Sequence, residues 1–283
     1  MPDFSHILLL ADFDRTLTDP ESRIPARNVE AIRAFQAQGG AFTVATGRSI
    51  PMFLSREAEI PYNVPLILYN GGAFYDYRTD ELRDACWIPE GRALLGYLAR
   101  EFPDMNLEVQ GKDFHYLIGE LPMRDAFYRR AETAFRHVTV ETMPMPILKA
   151  SLLGTYFDDT VPQFFKICPP EEVARFDAAQ AKIQADWPEL VVDRASPRIL
   201  DIQGCGVSKG RAARNLANRL SRELVCVGDA RNDLSMLLEA DRAFAPGDCE
   251  QAVQQAGVSL VCPCADGAVA DVIELLGSEL DAC

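Results

Sequence analysis

The stretch Leu8-Leu9-Leu10-Ala11-Asp12-Phe13-Asp14-Arg15-Thr16-Leu17-Thr18 decides how the rest of the chain is read. An unbroken apolar run ends abruptly in two carboxylates one residue apart. Such a run has the character of a strand buried on both faces, as in a parallel sheet, and α/β sheets place their ligand chemistry at the carboxyl ends of such strands. In a flat strand Asp12 and Asp14 would point to the same side, because side chains alternate with period two. Two close carboxylates repel unless they share a cation or one is protonated. The pattern therefore points to a metal or to acid/base work, with the ordinary use of Asp in a turn after a strand as the alternative.

Composition narrows the classes. The 283 residues suffice for one large core or, more comfortably, two domains. A hydrophobic content of 48% with 25% charged residues is that of an ordinary globular protein, which excludes disordered and collagen-like chains. With 28 Lys plus Arg against 42 Asp plus Glu the formal net charge is −14, and no basic stripe stands out, so the overall field does not suit nucleic acid or an anionic membrane. An anionic substrate would have to be met by local donors or a cation. No apolar stretch approaches the ~20 residues of a membrane span, and residues 7–11 are too short for a signal peptide and lack its basic flank, so a cytoplasmic protein is expected. The eight cysteines include no C-x-x-C pair and read as buried or incidental thiols. Cys262-Pro263-Cys264 has no second cluster near it in sequence, and zinc is not supported.

Beyond the opening strand the pattern alternates. Residues 25–38 read as a helix with Val29, Ile32 and Phe35 on one face, closed by Gly39-Gly40. A strand over 41–46 ends in Thr46-Gly47-Arg48-Ser49, and an apolar run over 65–69 ends in Asn70-Gly71-Gly72. This is the layout of a doubly wound, Rossmann-like parallel sheet with a crevice at its carboxyl edge. From about Leu82 the texture changes to strands over 82–88, 106–110, 114–118, 147–153 and 163–167, with helices over 91–102, 124–135 and 171–186. An inserted α+β domain is expected over 82–192, between core parts 1–81 and 193–283. Regular alternation is expected to resume after Arg198 with a strand over 199–202. A loop through Ser208-Lys209-Gly210 then leads into a helix, and a strand over 224–227 ends in Gly228-Asp229-Ala230-Arg231-Asn232-Asp233.

Four clusters at strand ends or helix starts stand out: Asp12/Asp14/Thr16, Thr46/Gly47/Arg48, Lys209, and Asp229/Asn232/Asp233. In order and character they closely resemble the haloacid dehalogenase (HAD) superfamily of phosphotransferases, specifically its Cof-like type IIB branch with a C2 cap inserted between the second and third motifs. The resemblance covers the whole chain, including the C-terminal Asp266-Gly267. It implies a phosphomonoester hydrolase working through an aspartyl-phosphate, with Asp12 as nucleophile. Asp14 would be the general acid/base, protonating the leaving oxygen and later deprotonating water. The resemblance also implies Mg²⁺, held by Asp12, by the backbone carbonyl of Asp14, by Asp229 directly, and by Asp233 directly or through water. Helix capping is the plainer use of Asp at these last two positions. Thr16 and Thr46 would donate to the transferring oxygens, Gly47 would admit close backbone approach, and Lys209 would supply a point charge. Asn232 would hold a phosphate oxygen, while Arg48 and Asn70 would face the entrance or the substrate.

One departure stands beside the nucleophile: family members usually carry glycine after the second aspartate, and this chain has Arg15. The readings open for Arg15 are a contact with cap or substrate, or simple exposure, with altered backbone geometry or access at Asp12. The presence of Asp14 favours a phosphatase over a dehalogenase, and the lack of membrane spans excludes a P-type pump. By the resemblance the insert would close over the crevice and contact the leaving group, with Lys112, His115, Lys149 and Lys166 as candidate contacts or else solvated residues. The expected partner is a small phosphorylated metabolite, with a sugar phosphate leading. The alternatives are a phosphosugar mutase and a noncatalytic phosphometabolite-binding regulator. The regulator would predict degraded Asp12, Asp14 or Asp233, and all three are intact.

Overall fold

The structure is a computed structural model that describes residues 2–119, 121–154 and 168–281, the side chains of Met123 and Asp281 excepted. In chain order its elements are β1 (Ile7–Ala11), α1 (Ala26–Ala37), β2 (Ala41–Val44), α2 (Ile50–Leu54), β3 (Leu66–Leu68), β4 (Ala73–Asp76), β5 (Glu81–Arg83), α3 (Gly91–Glu101), β6 (Asn106–Gln110), β7 (His115–Ile118), α4 (Pro122–Arg130) and β8 (Phe135–Val138). There follow β9 (Lys149–Leu153), α5 (Pro170–Asp186), β10 (Val191–Ser196), β11 (Ile199–Gln203), α6 (Lys209–Leu220), β12 (Glu223–Val227), α7 (Leu234–Glu239), β13 (Arg242–Pro246), α8 (Gln251–Gln254), β14 (Ser259–Val261) and α9 (Ala268–Asp281). The expected strand over 163–167 lies outside the described residues. None of the described helices is long and apolar enough to cross a membrane.

The chain divides into two compact units. The first comprises the chain through Gly47, Arg56–Arg83, and Ser208 onward. Its main sheet has the order β14-β13-β12-β1-β2, and every pairing is parallel. Each residue of β1 is buried, as a strand covered on both faces requires. Leu8 and Leu10 join Ala213, Leu216, Met236 and Leu237 of α6 and α7 in one core cluster. Alternation sends Leu9 and Ala11 to the opposite face. The helices α1 and α9 pack together, and Asn28 of α1 ties them by accepting the Ala270 N–H at 2.9 Å. The smaller antiparallel sheet β3-β4-β5 is linked to the end of β2 by a parallel bridge between Ala45 and Ile67. From β1 the chain crosses to β2 on one side, and later returns with β12 on the other. The strand order therefore reverses at β1, and such a switch point opens a crevice at the strands' carboxyl ends.

The second unit comprises Arg48–Ser55 and the described part of Asp84–Val207. Its six strands run β10-β11-β9-β6-β7-β8, antiparallel except for the parallel β7/β8 pair. Leu107, Val109, Ala150, Leu152, Leu200 and Ile202 of the sheet cluster with Leu94, Leu98, Phe176 and Ile183 of α3 and α5. The alternate residues of these strands, Glu108, Gln110, His115, Lys149, Ser151, Asp201 and Gln203, are polar and buried.

Three expectations about this part of the chain change. The strand expected over 82–88 is confined to Glu81–Arg83, which pairs with β4 in the first unit. The strand over 199–202, expected in the parallel core, pairs antiparallel with β10 and β9, so the chain rejoins the first unit at Ser208 and not at residue 193. The helix expected over 124–135 stops at Arg130. Glu132 takes φ 51, and Phe135–Val138 forms β8 instead. Aromatic and β-branched residues favour such a pleated edge over a last helical turn.

Candidate active site

The pairing of Ala11 with Val227 places the residues that follow, Asp12 on one strand and Gly228-Asp229 on its neighbour, side by side. The Asp12 N–H extends the ladder by donating to the Val227 carbonyl at 2.9 Å. The flat-strand picture ends there. Phe13–Leu17 coil into a tight turn in which Asp14 is extended (φ −76, ψ 123) and Arg15 is left-handed (φ 61, ψ 13). The Leu17 and Thr18 N–H groups close the turn on the Asp12 and Phe13 carbonyls. Thr16 thereby turns back to the strand ends, where its buried hydroxyl donates to Asp229 Oδ1 at 3.1 Å.

Lys209 begins α6 behind Ser208, whose hydroxyl caps the helix by accepting the Arg211 N–H. Its ammonium is 1% exposed and donates to Asp12 Oδ1 at 2.5 Å and Asp233 Oδ1 at 2.7 Å. Asp233 Oδ2 accepts the N–H groups of Asp229 (3.1 Å) and Ala230 (3.0 Å). Asp233 therefore organises its own loop, as a capping carboxylate does, while its other oxygen belongs to the cluster. Gly228 makes room for it, since a Cβ there would lie 2.6 Å from the Asp233 Cβ.

The electrostatics follow from burial and crowding. Burial first, then the negative charges of Asp233, Asp229 and Asp14, push the Asp12 carboxyl well above the usual range against the pull of Lys209. Burial and Asp233 raise Asp229 to about 7, opposed by the Thr16 hydroxyl, Arg15 and Lys209. Burial works against the Lys209 ammonium, and the carboxylates of Asp12 and Asp233 outweigh it, holding the group above the usual lysine range. A site whose acids resist ionisation in this way favours a bound cation.

Thr46, at the end of β2, is buried. Its N–H donates to the Ile67 carbonyl and its own carbonyl accepts the Asn70 N–H, each at 2.9 Å. A Cβ on Gly47 would meet Asn70 Oδ1 at 2.7 Å, so glycine is what lets this turn and the Asn70 turn approach. Asn70 takes φ 55, and Gly71, at φ 94, packs against the Ser208 carbonyl at the start of α6. Asn232 is exposed on the loop after β12. Arg48 belongs to the second unit.

One oxygen from each of Asp12, Asp229 and Asp233 lies within 4.8 Å of the others. Three carboxylate oxygens form a hard donor set suited to a divalent cation of the magnesium kind and unsuited to a soft or thiolate-seeking metal. A family model for haloacid dehalogenase-like hydrolases matches residues 9–273, so it takes in this cluster, both glycine turns and the whole second unit. The chain belongs to the haloacid dehalogenase-like hydrolases.

Relatives and solved structures agree. The chain is 26% identical over 257 residues to the Bacillus subtilis 5-amino-6-(5-phospho-D-ribitylamino)uracil phosphatase YwtE, covering 83% of this chain and 85% of that one. A haloacid dehalogenase-like hydrolase from Bacteroides thetaiotaomicron superposes with a TM-score of 0.79 at 20% identity, over 96% of this hydrolase and 99% of the other. The HAD subclass IIB sugar phosphatase BT4131 does so with a TM-score of 0.75 at 19% identity, over 95% and 98%. At these identities the structural likenesses carry the fold.

In the second unit of this hydrolase, His115 and Lys149 are neither solvated nor open. The Glu108 carboxylate accepts from Arg124 Nε at 2.7 Å, from Gln110 Nε2 at 3.1 Å and from His115 Nδ1 at 3.1 Å. The same Nδ1 lies 2.5 Å from the Tyr128 hydroxyl, and Nε2 is paired with the Ser49 hydroxyl. Lys149 donates to Asp201 Oδ2 at 2.9 Å, and Ser151 donates to Asp201 Oδ1 at 2.7 Å. Lys112 is half-buried, and Lys166 lies outside the described residues.

Sequence reading overlooked Gly71, Gly228 and Asp248. The two glycines stood inside motifs already quoted, but only the packing shows what they admit. Asp248 follows β13, a strand end like the others, and sits 3.7 Å from the Arg15 guanidinium.

Proposed function

We propose that this hydrolase is a Mg²⁺-dependent phosphomonoester phosphatase in which Asp12 is the nucleophile and Asp14 the general acid/base. The observation that carries the reading is the Asp12–Lys209–Asp233 chain of contacts, which fixes a buried carboxylate at a strand tip with a lysine on one of its oxygens. Asp12 attacks phosphorus, the phosphorus–ester oxygen bond breaks, and the leaving oxygen takes the proton of Asp14. A water then gives its proton to Asp14 and attacks the same phosphorus. The bond to Asp12 breaks, freeing inorganic phosphate and restoring the carboxylate.

Asp12, the Asp14 carbonyl and Asp229, with Asp233 directly or through water, would hold Mg²⁺, which would supply the positive charge that lets a phosphate dianion meet these acids. Lys209 adds a fixed charge beside the nucleophile, while Thr16, Thr46, Gly47 and Asn232 offer donors and close approach to the phosphate oxygens. Arg48 and Asn70 are assigned to the substrate side. A small phosphometabolite, with a sugar phosphate leading, is the substrate class. The names of YwtE and BT4131 support it, since one acts on a phosphoribityl compound and the other on sugar phosphates. The reading places the protein in the cytoplasm, with residues 82–192 extended to Val207 as a cap.

The test is phosphate release from p-nitrophenyl phosphate and a panel of sugar phosphates with and without MgCl₂. Asp12→Asn should abolish it, Asp14→Asn should reduce it strongly, and chelation should stop it. Full activity in both variants would sink the mechanism.

A further inference from the structure

A second cation, one that the proposed phosphoryl transfer does not use, stands at the edge of the carboxylate cluster. Arg15 occupies the left-handed region, which glycine enters freely and a larger residue only at a cost. From there its Nε lies 3.8 Å from Asp229 Oδ2 and its terminal nitrogen 3.7 Å from Asp248 Oδ2. Asp248 is itself fixed: its Oδ1 accepts the Cys264 N–H at 2.9 Å and its Oδ2 the Cys264 thiol at 3.2 Å. The guanidinium is thus slung between an anchored carboxylate and one of the three that form the candidate metal site.

We propose that Arg15 is a resident counter-cation that competes with the divalent ion for Asp229 and so sets the metal affinity of this site, withdrawing toward Asp248 when the ion binds. The proposal rests on the reading of the cluster as a metal site. Lys209 donates to Asp12 and Asp233 but forms no such bond to Asp229, whose partners are the neutral Thr16 hydroxyl and the Arg15 charge. Separations of 3.7–3.8 Å are too long for hydrogen bonds, so the pairing is one of charge and is easily exchanged. The side chain is 43% exposed, which leaves it room to move and screens part of its field. An incoming ion meets a positive group at its own ligand, and Asp229 must give up one cation to hold the other. A glycine at this position would impose neither cost.

The test is calorimetric titration of MgCl₂ into metal-stripped wild type, Arg15→Gln and Arg15→Gly, with thermal melts of each protein with and without MgCl₂. Arg15→Gln keeps the length of the side chain and removes its charge. It should tighten Mg²⁺ binding about five- to ten-fold, the gain shrinking as added KCl screens the charge. Arg15→Gly should tighten it at least as much. Metal-free Arg15→Gln should melt below wild type, and MgCl₂ should raise its melting temperature by more. Equal Mg²⁺ affinity in wild type and Arg15→Gln overturns the competition while leaving the metal site standing. Tightening in Arg15→Gly alone also overturns it, by assigning the effect to backbone strain. Absence of Mg²⁺ binding in all three proteins overturns the metal reading and the competition with it.

Discussion

Lys209 Nζ lies 2.7 Å from Asp233 Oδ1 and so joins the first residue of one helix to the loop that opens the next. The same ammonium holds Asp12 at the tip of the first strand. One side chain therefore fixes three elements that are far apart in sequence. Its burial makes this arrangement costly to break, because breaking it would leave two buried carboxylates without their counter-charge.

Lys209→Met should accordingly destabilise the metal-free protein by about 3–5 kcal/mol, the range for removing one partner of a buried ion pair. Urea unfolding in the presence of a chelator reads this directly. Phosphate release should be lost as well. A variant as stable as wild type would mean that the lysine does not hold Asp12 and Asp233 in place.

Gly228→Ala tests how tightly the loop after β12 is built. The added Cβ would stand 2.6 Å from the Asp233 Cβ and 2.8 Å from its Cγ, so Asp233 must move. Moving it disturbs both its backbone bonds and its contact with Lys209. Overpacking of this kind costs roughly 1–3 kcal/mol, and a displacement near 1 Å at the reacting centre costs on the order of 100-fold in rate. A folded protein with phosphate release down about 100-fold is expected, and unchanged kinetics would show that the Asp233 position is not critical.

Thr16 offers a finer probe. Its hydroxyl is buried and donates to the Asp229 carboxylate. Thr16→Val keeps the shape and removes the donor, which at pH 8, above the Asp229 value, costs about 1.5–3 kcal/mol for a bond to a charged group. Thr16→Ser restores the donor and should recover most of the loss. Denaturant midpoints for the three proteins decide the matter. A Val variant as stable as wild type beside a destabilised Ser variant would place the contribution of Thr16 in its methyl group.

The legibility of this chain followed the character of its strands. The uniformly apolar β1 could only be a strand covered on both faces, and the polar residue after each such strand marked the edge where chemistry gathers. The segment 199–203 was legible too, but by a different rule. Leu200 and Ile202 alternate with Asp201 and Gln203, the pattern of a sheet with one apolar face, and Ser196-Pro197-Arg198 is a turn between two such strands. That pattern belongs with β6 and β9, not with β1. The partnership of Arg15 with Asp248 had no local signal, because it depends on where β13 ends relative to the turn after β1. The polar row through Glu108, His115 and Lys149 was hidden for a similar reason. Each residue alone reads as solvated, and only the register Gln110 to His115 and Lys149 assembles them into one buried set.

That buried set predicts an acid dependence of stability separate from the carboxylate cluster. Burial outweighs the Glu108 carboxylate at His115 and holds the imidazole below its ordinary value, with Arg124 and Lys149 adding to the effect and Tyr128 packed beside it. The unfolded chain takes up a proton near pH 6.5, while the folded protein does so only at lower pH. Between those points the unfolded state binds more protons, so stability falls as pH falls, by up to about 1.4 kcal/mol per pH unit for one group. Glu108 contributes in the same direction but later. Burial opposes its charge, yet Arg124 and His115 hold its carboxyl well below the usual range, so its contribution persists until far more acidic conditions. His115→Gln retains an amide that hydrogen-bonds without titrating. Its stability should be lower than wild type at pH 8, yet flatter between pH 7 and 5 when followed by urea unfolding at each pH. Parallel curves for the two proteins would show that His115 takes its proton in the folded state as readily as in the unfolded chain, and that the Ser49–His115–Glu108 contacts do not depend on a neutral ring.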